Sequence, residues 1–324
     1  MKLLHIWAIL GIWAVLSLAG IFFALWQGYT GRAFAATATT ASLLLLLMLL
    51  FAARSIAERI SGSLGSGSGL LLGVLVFVLY VVYIFGTGTF AFARLAIMAA
   101  LIFVPLTLAM STQNSTPGSW QDFLTIAGVW AFVKFGPSHY LWPYPDSRLA
   151  YVFTVLVAVN VALATFPLAR KIKGIGYSIG WGKNWSLYLF GSFSLFAGIA
   201  IPLGIAMHFL VFDPQWNRLP QFLGLSVAIL VFAAWPEELL FRGLLQNLLA
   251  STSKSDLAAW WTSSVFFGLA HITNGTFPNW SYVILATIAG LFYAWVWRKT
   301  NSIFASALLH AAVDITWHVL FRAP

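Results

Sequence analysis

In a chain of 324 residues, 61% hydrophobic and 8% charged side chains stand well outside the roughly 45–50% and about 25% of soluble domains. A chain of this size keeps too much surface for one core to hide that excess, so a soluble protein is excluded and lipid must solvate it. Seventeen Lys and Arg against eight Asp and Glu give a net charge of +9. Without any nucleic-acid-binding motif, that balance reads as basic cytoplasmic loops and anionic lipid headgroups rather than as a nucleic-acid partner. The absence of cysteine removes disulfides, thiolate nucleophiles and Cys-ligated metals.

Apolar runs of about 18 or more residues mark spanning helices. They fall at 3–26, 36–53, 69–86, 89–110, 149–168, 186–211, 221–249, 257–273, 280–297 and 302–321. The fold class is therefore all-α: a polytopic transmembrane helical bundle of ten or eleven spans. The first run continues through Trp26, longer than the apolar region of a cleaved signal peptide, and reads as an uncleaved span. SGSLGSGSG (61–69) is a flexible connector, STQNSTPGS (111–119) a polar turn, and GPSHYLWPYP (136–145) an interfacial loop. The segment 170–185 carries Arg170, Lys171, Lys173 and Lys183 and no acid. It reads as a basic cytoplasmic loop dividing an N-terminal bundle, 1–169, from a C-terminal one, 186–324. The N-terminal bundle has no assigned role beyond substrate docking.

The stretch 121–136 decides the span count. If it crosses, the N-terminus is inside and the cytoplasmic face holds Lys2, Arg54, Arg59, Arg170, Lys171, Lys173, Lys183, Lys254, Arg298 and Lys299. The outer face then holds only Arg32, Arg148, Arg218 and Arg322. If it does not cross, the upstream half inverts and the bias nearly vanishes, so the positive-inside rule prefers eleven. Both arrangements agree from residue 170 onward. The layout suggests a multi-pass protein of a bacterial plasma membrane.

Ionisable residues inside spans are costly and default to a functional reading. Arg94 and Lys134 lie near span ends and can snorkel. His5 and His208 fall at the inner and outer interfaces. Five carboxylates (Glu58, Asp122, Asp146, Asp213 and Asp256) lie in loops or at span ends, where a charge costs little. The remaining candidates gather in the last third of the chain. In AAWPEELLFRG, Pro236 cannot close the helical ladder, so a kink or restart is expected there. Arg242 follows Glu238 by four residues in the acid-first order that suits an ion pair, while Glu237 points about 100° away. One glutamate is thus held and its neighbour is free for proton transfer. In SSVFFGLAHITNG, Phe267 and His271 share a helix face, and in SALLHAAVDITWH so do His310, Asp314 and His318. Counting residues from the cytoplasmic ends puts Glu237 and Asp314 at roughly 18 Å, His271 at roughly 21 Å and His310 at roughly 12 Å. Three helices bring polar groups to one level near the midplane.

Two Glu, one Arg, two His and one Asp at that depth suit activation of water by general-base catalysis, with stabilisation of a tetrahedral oxyanion. No Ser or Cys stands in a nucleophile-elbow context. A zinc ion held by Glu, His and Asp is the alternative cofactor, although no HExxH is present. A proton-coupled transporter would also use midplane carboxylates and histidines, but no inverted repeat is visible.

EELLFR (237–242), FGLAH (267–271) and HAAVD (310–314) resemble, in order, the EExxxR, FxxxH and HxxxN/D motifs of the CPBP intramembrane proteases. That family includes the type II CAAX prenyl endopeptidases and bacteriocin-processing proteins. The segment RKTNSIFASALLHAAVD (298–314) is similar to the family's approach to its third motif, and the likeness covers about 186–322. It implies an intramembrane endopeptidase acting on a membrane-anchored or lipidated protein or peptide near its C-terminus; the family carries both metal-dependent and glutamate-type assignments, and the glutamate type, without a cofactor, is preferred. It further implies that Glu237 and His271 activate water, that His310 and residue 314 face the oxyanion, and that Glu238 and Arg242 orient the site. Asp314 stands where the family often has Asn; an ionised Asp cannot donate to an oxyanion, so it is protonated, orients His310 or binds metal. A catalytically silent scaffold or immunity protein with the family's shell is the remaining alternative.

Overall fold

The computed structural model describes residues 2–65, 67–145, 149–216 and 219–322; Asp146, Arg148 and Arg218, used in the charge count, lie outside the described residues, as do the side chains of Lys2, His5 and Arg54. The chain divides into two compact units, Met1–Lys173 and Gly174–Pro324. Among the described residues, nine helices are long and apolar enough to cross a membrane, and the chain is a helical membrane bundle.

The first unit contains α1 (Lys2–Trp26), α2 (Gly31–Phe51), α3 (Arg54–Leu64), α4 (Gly67–Gly86), α5 (Phe92–Ser111), α6 (Trp120–Phe135), α7 (Ser138–Leu141) and α8 (Ala150–Leu163), the last continued by π-helical turns Ala164–Ala169. A helix apolar on all sides belongs at the centre of a bundle, and α8 is buried along nearly its whole length. The amide of Asn160, fully enclosed, donates to the Leu44 carbonyl (3.0 Å) and to the Leu156 carbonyl (2.8 Å). By contrast α1 packs on α2 and leaves Trp7, Val15, Phe22 and Trp26 outside, a face suited to lipid.

One buried ion pair corrects the sequence reading. Asp122 and Arg170 are not solvent-facing; both are at most 3% exposed, with Arg170 Nε 3.0 Å from Asp122 Oδ1. Asp122 also accepts from the backbone N–H groups of Gly118 and Ser119, and the Arg170 guanidinium donates to the Ser115 and Thr116 carbonyls. Removing the charges from water is costly, and this many partners is what makes the pair tolerable. The contact puts the start of α6 beside the end of the helix that α8 begins. At 16 residues, α6 is about 24 Å long, shorter than a typical hydrocarbon core.

The second unit contains α9 (Trp185–Ala206), the short strand β1 (Val211–Phe212), a continuous helix over 219–253, then α13 (Asp256–Leu269), α14 (Trp280–Thr300), α15 (Ile303–Leu320) and β2 (Phe321–Arg322). The 219–253 helix comprises α10 (Leu219–Ile229), α11 (Trp235–Glu238) and α12 (Asn247–Ser253), separated by π-helical stretches Leu230–Ala234 and Leu239–Gln246. At Pro236 the helix resumes as the α-helical turn Trp235–Glu238 between two π-helical stretches, with Glu237 and Glu238 in its first turn. Widened turns on both sides move the carbonyls away from a residue that has no N–H to offer, and the helix runs through. Helices α13 and α14 approach closely at glycine: a Cβ on Gly268 would stand 2.6 Å from the Val283 carbonyl oxygen, and one on Gly290 would meet Ser264 Cα at 3.2 Å. Small residues at such crossings let backbones touch. Antiparallel pairing of β1 with β2 joins the α9–α10 connection to the end of α15.

Candidate active site

Glu238 is the deepest acid of the second unit. It is fully enclosed, with Arg242 Nε 3.1 Å from one carboxylate oxygen and His310 Nδ1 3.0 Å from the other. The hydroxyl of Ser306, one turn before His310 on α15, contacts the same carboxylate. Arg242, also fully enclosed, donates through Nη2 to the Gly290 carbonyl (3.1 Å) and lies 4.4 Å over the Phe267 ring. Its Nε is at ion-pair distance from Glu238 but lacks hydrogen-bond alignment, and Nη1 has no hydrogen-bond partner. The i, i+4 pairing read from the sequence is present, and it is anchored to three other elements.

Glu237 behaves differently although its neighbour is immobilised. Its side chain is 31% exposed, its Oε2 has no hydrogen-bond partner, and that oxygen lies 4.0 Å from His310 Nε2. Asp314 Oδ2 is 3.5 Å from the same nitrogen. His310 is therefore flanked by carboxylates on both ring nitrogens, and it stacks on Tyr293 at 4.6 Å between centroids. A ring with acceptors on both sides is satisfied when both nitrogens carry hydrogen, leaving Nε2–H directed toward Glu237 and Asp314.

His271 is not inside a span. α13 ends at Leu269, and His271 sits in the turn that follows, because the apolar run continues into Ile272 while the backbone has already turned toward Thr273, Asn274 and Gly275. Its Nδ1 lies 2.7 Å from the Phe267 carbonyl oxygen. A carbonyl only accepts, so Nδ1 carries the hydrogen, and in the neutral ring Nε2 is left as a base. The contact also satisfies one of the carbonyls that a helix end leaves open. Phe267 and Tyr282 flank the ring at 4.8 and 4.9 Å.

Glu237, His271, His310 and Asp314 all line one partly open cavity of about 200 Å³, together with Phe196, Tyr282 and Trp317. Glu238 and Arg242 stand behind it, outside the lining. Of the candidates on α15, His318 does not join: its Nδ1 contacts the Asp314 carbonyl (2.8 Å) on an exposed face. Sequence reasoning missed Ser306, Tyr293 and Tyr282. Ser306 precedes His310 by the same four residues that separate His310 from Asp314, a signal that was legible; the two tyrosines arrive from α14, a span with no ionisable group in its interior to draw attention.

Among the described residues, no three His, Asp or Glu side chains gather to hold an ion. His310 turns Nδ1 to Glu238 and His271 turns Nδ1 to a backbone carbonyl, which leaves one nitrogen of each ring on the cavity side.

Residues 219–316 match the family model described as type II CAAX prenyl endopeptidase, Rce1-like, which is consistent with the CPBP family and with a protease function. The match takes in Glu237 through Asp314 and leaves the first unit outside. No curated protein and no solved structure matches the chain.

Proposed function

We propose that this multi-pass membrane protein is an intramembrane endopeptidase that hydrolyses a peptide bond of a membrane-anchored or lipidated substrate with water activated by Glu237 and His271. The observation that carries the reading is the contrast within the Glu237–Glu238 pair. One carboxylate is locked by Arg242, His310 and Ser306, while its neighbour is 31% exposed, has an oxygen without a hydrogen-bond partner, and lines a cavity that also receives His271. A structural ion pair has no use for the second acid.

In this mechanism a water held between Glu237 and His271 Nε2 gives a proton to Glu237 as its oxygen attacks the carbonyl carbon. The C=O electron pair moves to oxygen, and His310 Nε2–H donates to the oxyanion. When the tetrahedral intermediate collapses, the C–N bond breaks and the proton on Glu237 passes to the leaving amine, so one water is consumed for one carboxyl and one amine. Glu238 and Arg242 fix the position of His310, and Asp314 orients it from the other side. No step runs through a metal.

Glu237→Gln and His271→Gln are each expected to abolish cleavage in membranes while the purified protein keeps the unfolding temperature of the parent. Retained cleavage in both variants would contradict the assignment.

A further inference from the structure

Of Glu237, His271, His310 and Asp314, only His271 is not carried by a helix. The other three take their places from helical backbone. His271 stands in the turn between α13 and α14, so something other than the helical ladder must hold it.

Asn279 fastens that turn to the start of α14. Its N–H donates to the Ile272 carbonyl (2.9 Å) and its side-chain amide donates to the Asn274 carbonyl (2.8 Å). Its side-chain oxygen accepts from the N–H of Tyr282 (3.0 Å). The N–H of Asn274 donates in turn to the His271 carbonyl (2.9 Å), which closes the chain of contacts on His271 itself. An N-cap needs only the bond to Tyr282. The other bonds of Asn279 reach back across the turn and add nothing to α14.

The ring is held by aromatic faces. Its Nδ1 meets the Phe267 carbonyl, and a single hydrogen bond leaves a ring free to swing about it. Phe267 and Tyr282 bound that swing from 4.8 and 4.9 Å. Tyr282 is itself wedged between Phe209 at 5.4 Å and Trp317 at 5.2 Å, separations at which aromatic pairs attract. His310 is secured differently, by carboxylates near both ring nitrogens.

We infer that Asn279 and Tyr282 are positioning residues for His271. Asn279 sets the turn on which it stands, and Tyr282 sets the plane of its ring, so that Nδ1 keeps its hydrogen and Nε2 remains the bare nitrogen. Neither residue lies in the motifs EELLFR, FGLAH or HAAVD. That His271 serves as a base for water rests on the proteolytic reading; that it is held in this way rests on the contacts alone.

Ring-nitrogen NMR of the full chain, labelled with ¹⁵N-histidine in detergent, reads the tautomer when recorded well above the ordinary imidazole pKa of about 6.5. The His271 and His310 signals are identified by their loss in His271→Gln and His310→Gln. The two nitrogens of His271 are expected at well-separated shifts, one bearing hydrogen and one bare. Tyr282→Phe, which keeps the ring, is expected to retain them. Tyr282→Leu and Asn279→Ser are expected to draw the two shifts together as the ring exchanges between tautomers, with the His310 signals in place. Serine is a good N-cap but has no amide to reach Asn274, so a role confined to capping α14 would leave Asn279→Ser like the parent. Because the cap is kept, Asn279→Ser decides the question if Tyr282→Leu does not fold. Parent-like His271 shifts in either folded variant overturn the inference, as does equal displacement of the His310 signals, the mark of a general loosening. The expected shifts together with retained cleavage by Glu237→Gln would leave the positioning intact and count against the proteolytic reading.

Discussion

Adjacent glutamates with opposite surroundings give the residue scale its clearest test. Breaking a buried ion pair by neutralising one partner typically costs about 3–5 kcal/mol, because the other charge stays buried. Glu238→Gln is therefore expected to lower the unfolding temperature markedly, whereas Glu237→Gln, whose carboxylate has no ion-pair partner closer than the 4.0 Å contact to His310, leaves it nearly unchanged. Thermal unfolding of the two variants in one detergent distinguishes them; equal losses would show that Glu237 is structural as well. The distinction was legible in EELLFR because it depends on helical geometry over five residues. Ser306, Tyr293 and Tyr282 were less so, since their importance arises from helices crossing in space.

Helices and turns carry a second set of consequences. Sequence patterning located every long span of the second unit to within a few residues, yet extended the 257–273 segment beyond the observed end of α13 at Leu269. Hydropathy does not register the point where a backbone stops making ladder bonds, and Ile272 prolonged the apolar run. The misplaced end matters, since His271 gains its fixed tautomer from the open Phe267 carbonyl there. Pro236 was read as a kink or restart, and the π-helical turns that stand on both sides of it have no signature in composition. The crossing of α13 with α14 depends on Gly268, whose Cβ would stand 2.6 Å from the Val283 carbonyl oxygen. Gly268→Ala is expected to push α13 outward and destabilise the protein by about 1–3 kcal/mol, the usual range for overpacking. Thermal unfolding together with cleavage rate reads the effect, and an unchanged unfolding temperature would show that the crossing yields freely.

For the whole molecule, the composition pointed to a membrane protein at once, because it is a sum over many residues. Sequence could not reveal that Asp122 and Arg170, each at a span end, meet in a buried pair at the start of α6. Asp122→Ala leaves Arg170 buried without its partner and is expected to cost about 3–5 kcal/mol, read as a lower unfolding temperature; a neutral effect would mean that water reaches the pair.

Hydrolysis at Glu237 is the central claim, and oxygen transfer from solvent tests it most directly. Membranes bearing the wild-type protein or Glu237→Gln are incubated in ¹⁸O-water, and new peptide C-termini are identified by mass spectrometry. The account predicts membrane-protein termini that carry one ¹⁸O in the wild-type sample, persist with a zinc chelator and are missing with Glu237→Gln. An identical set of labelled termini in both samples, or their disappearance on chelation, would contradict it.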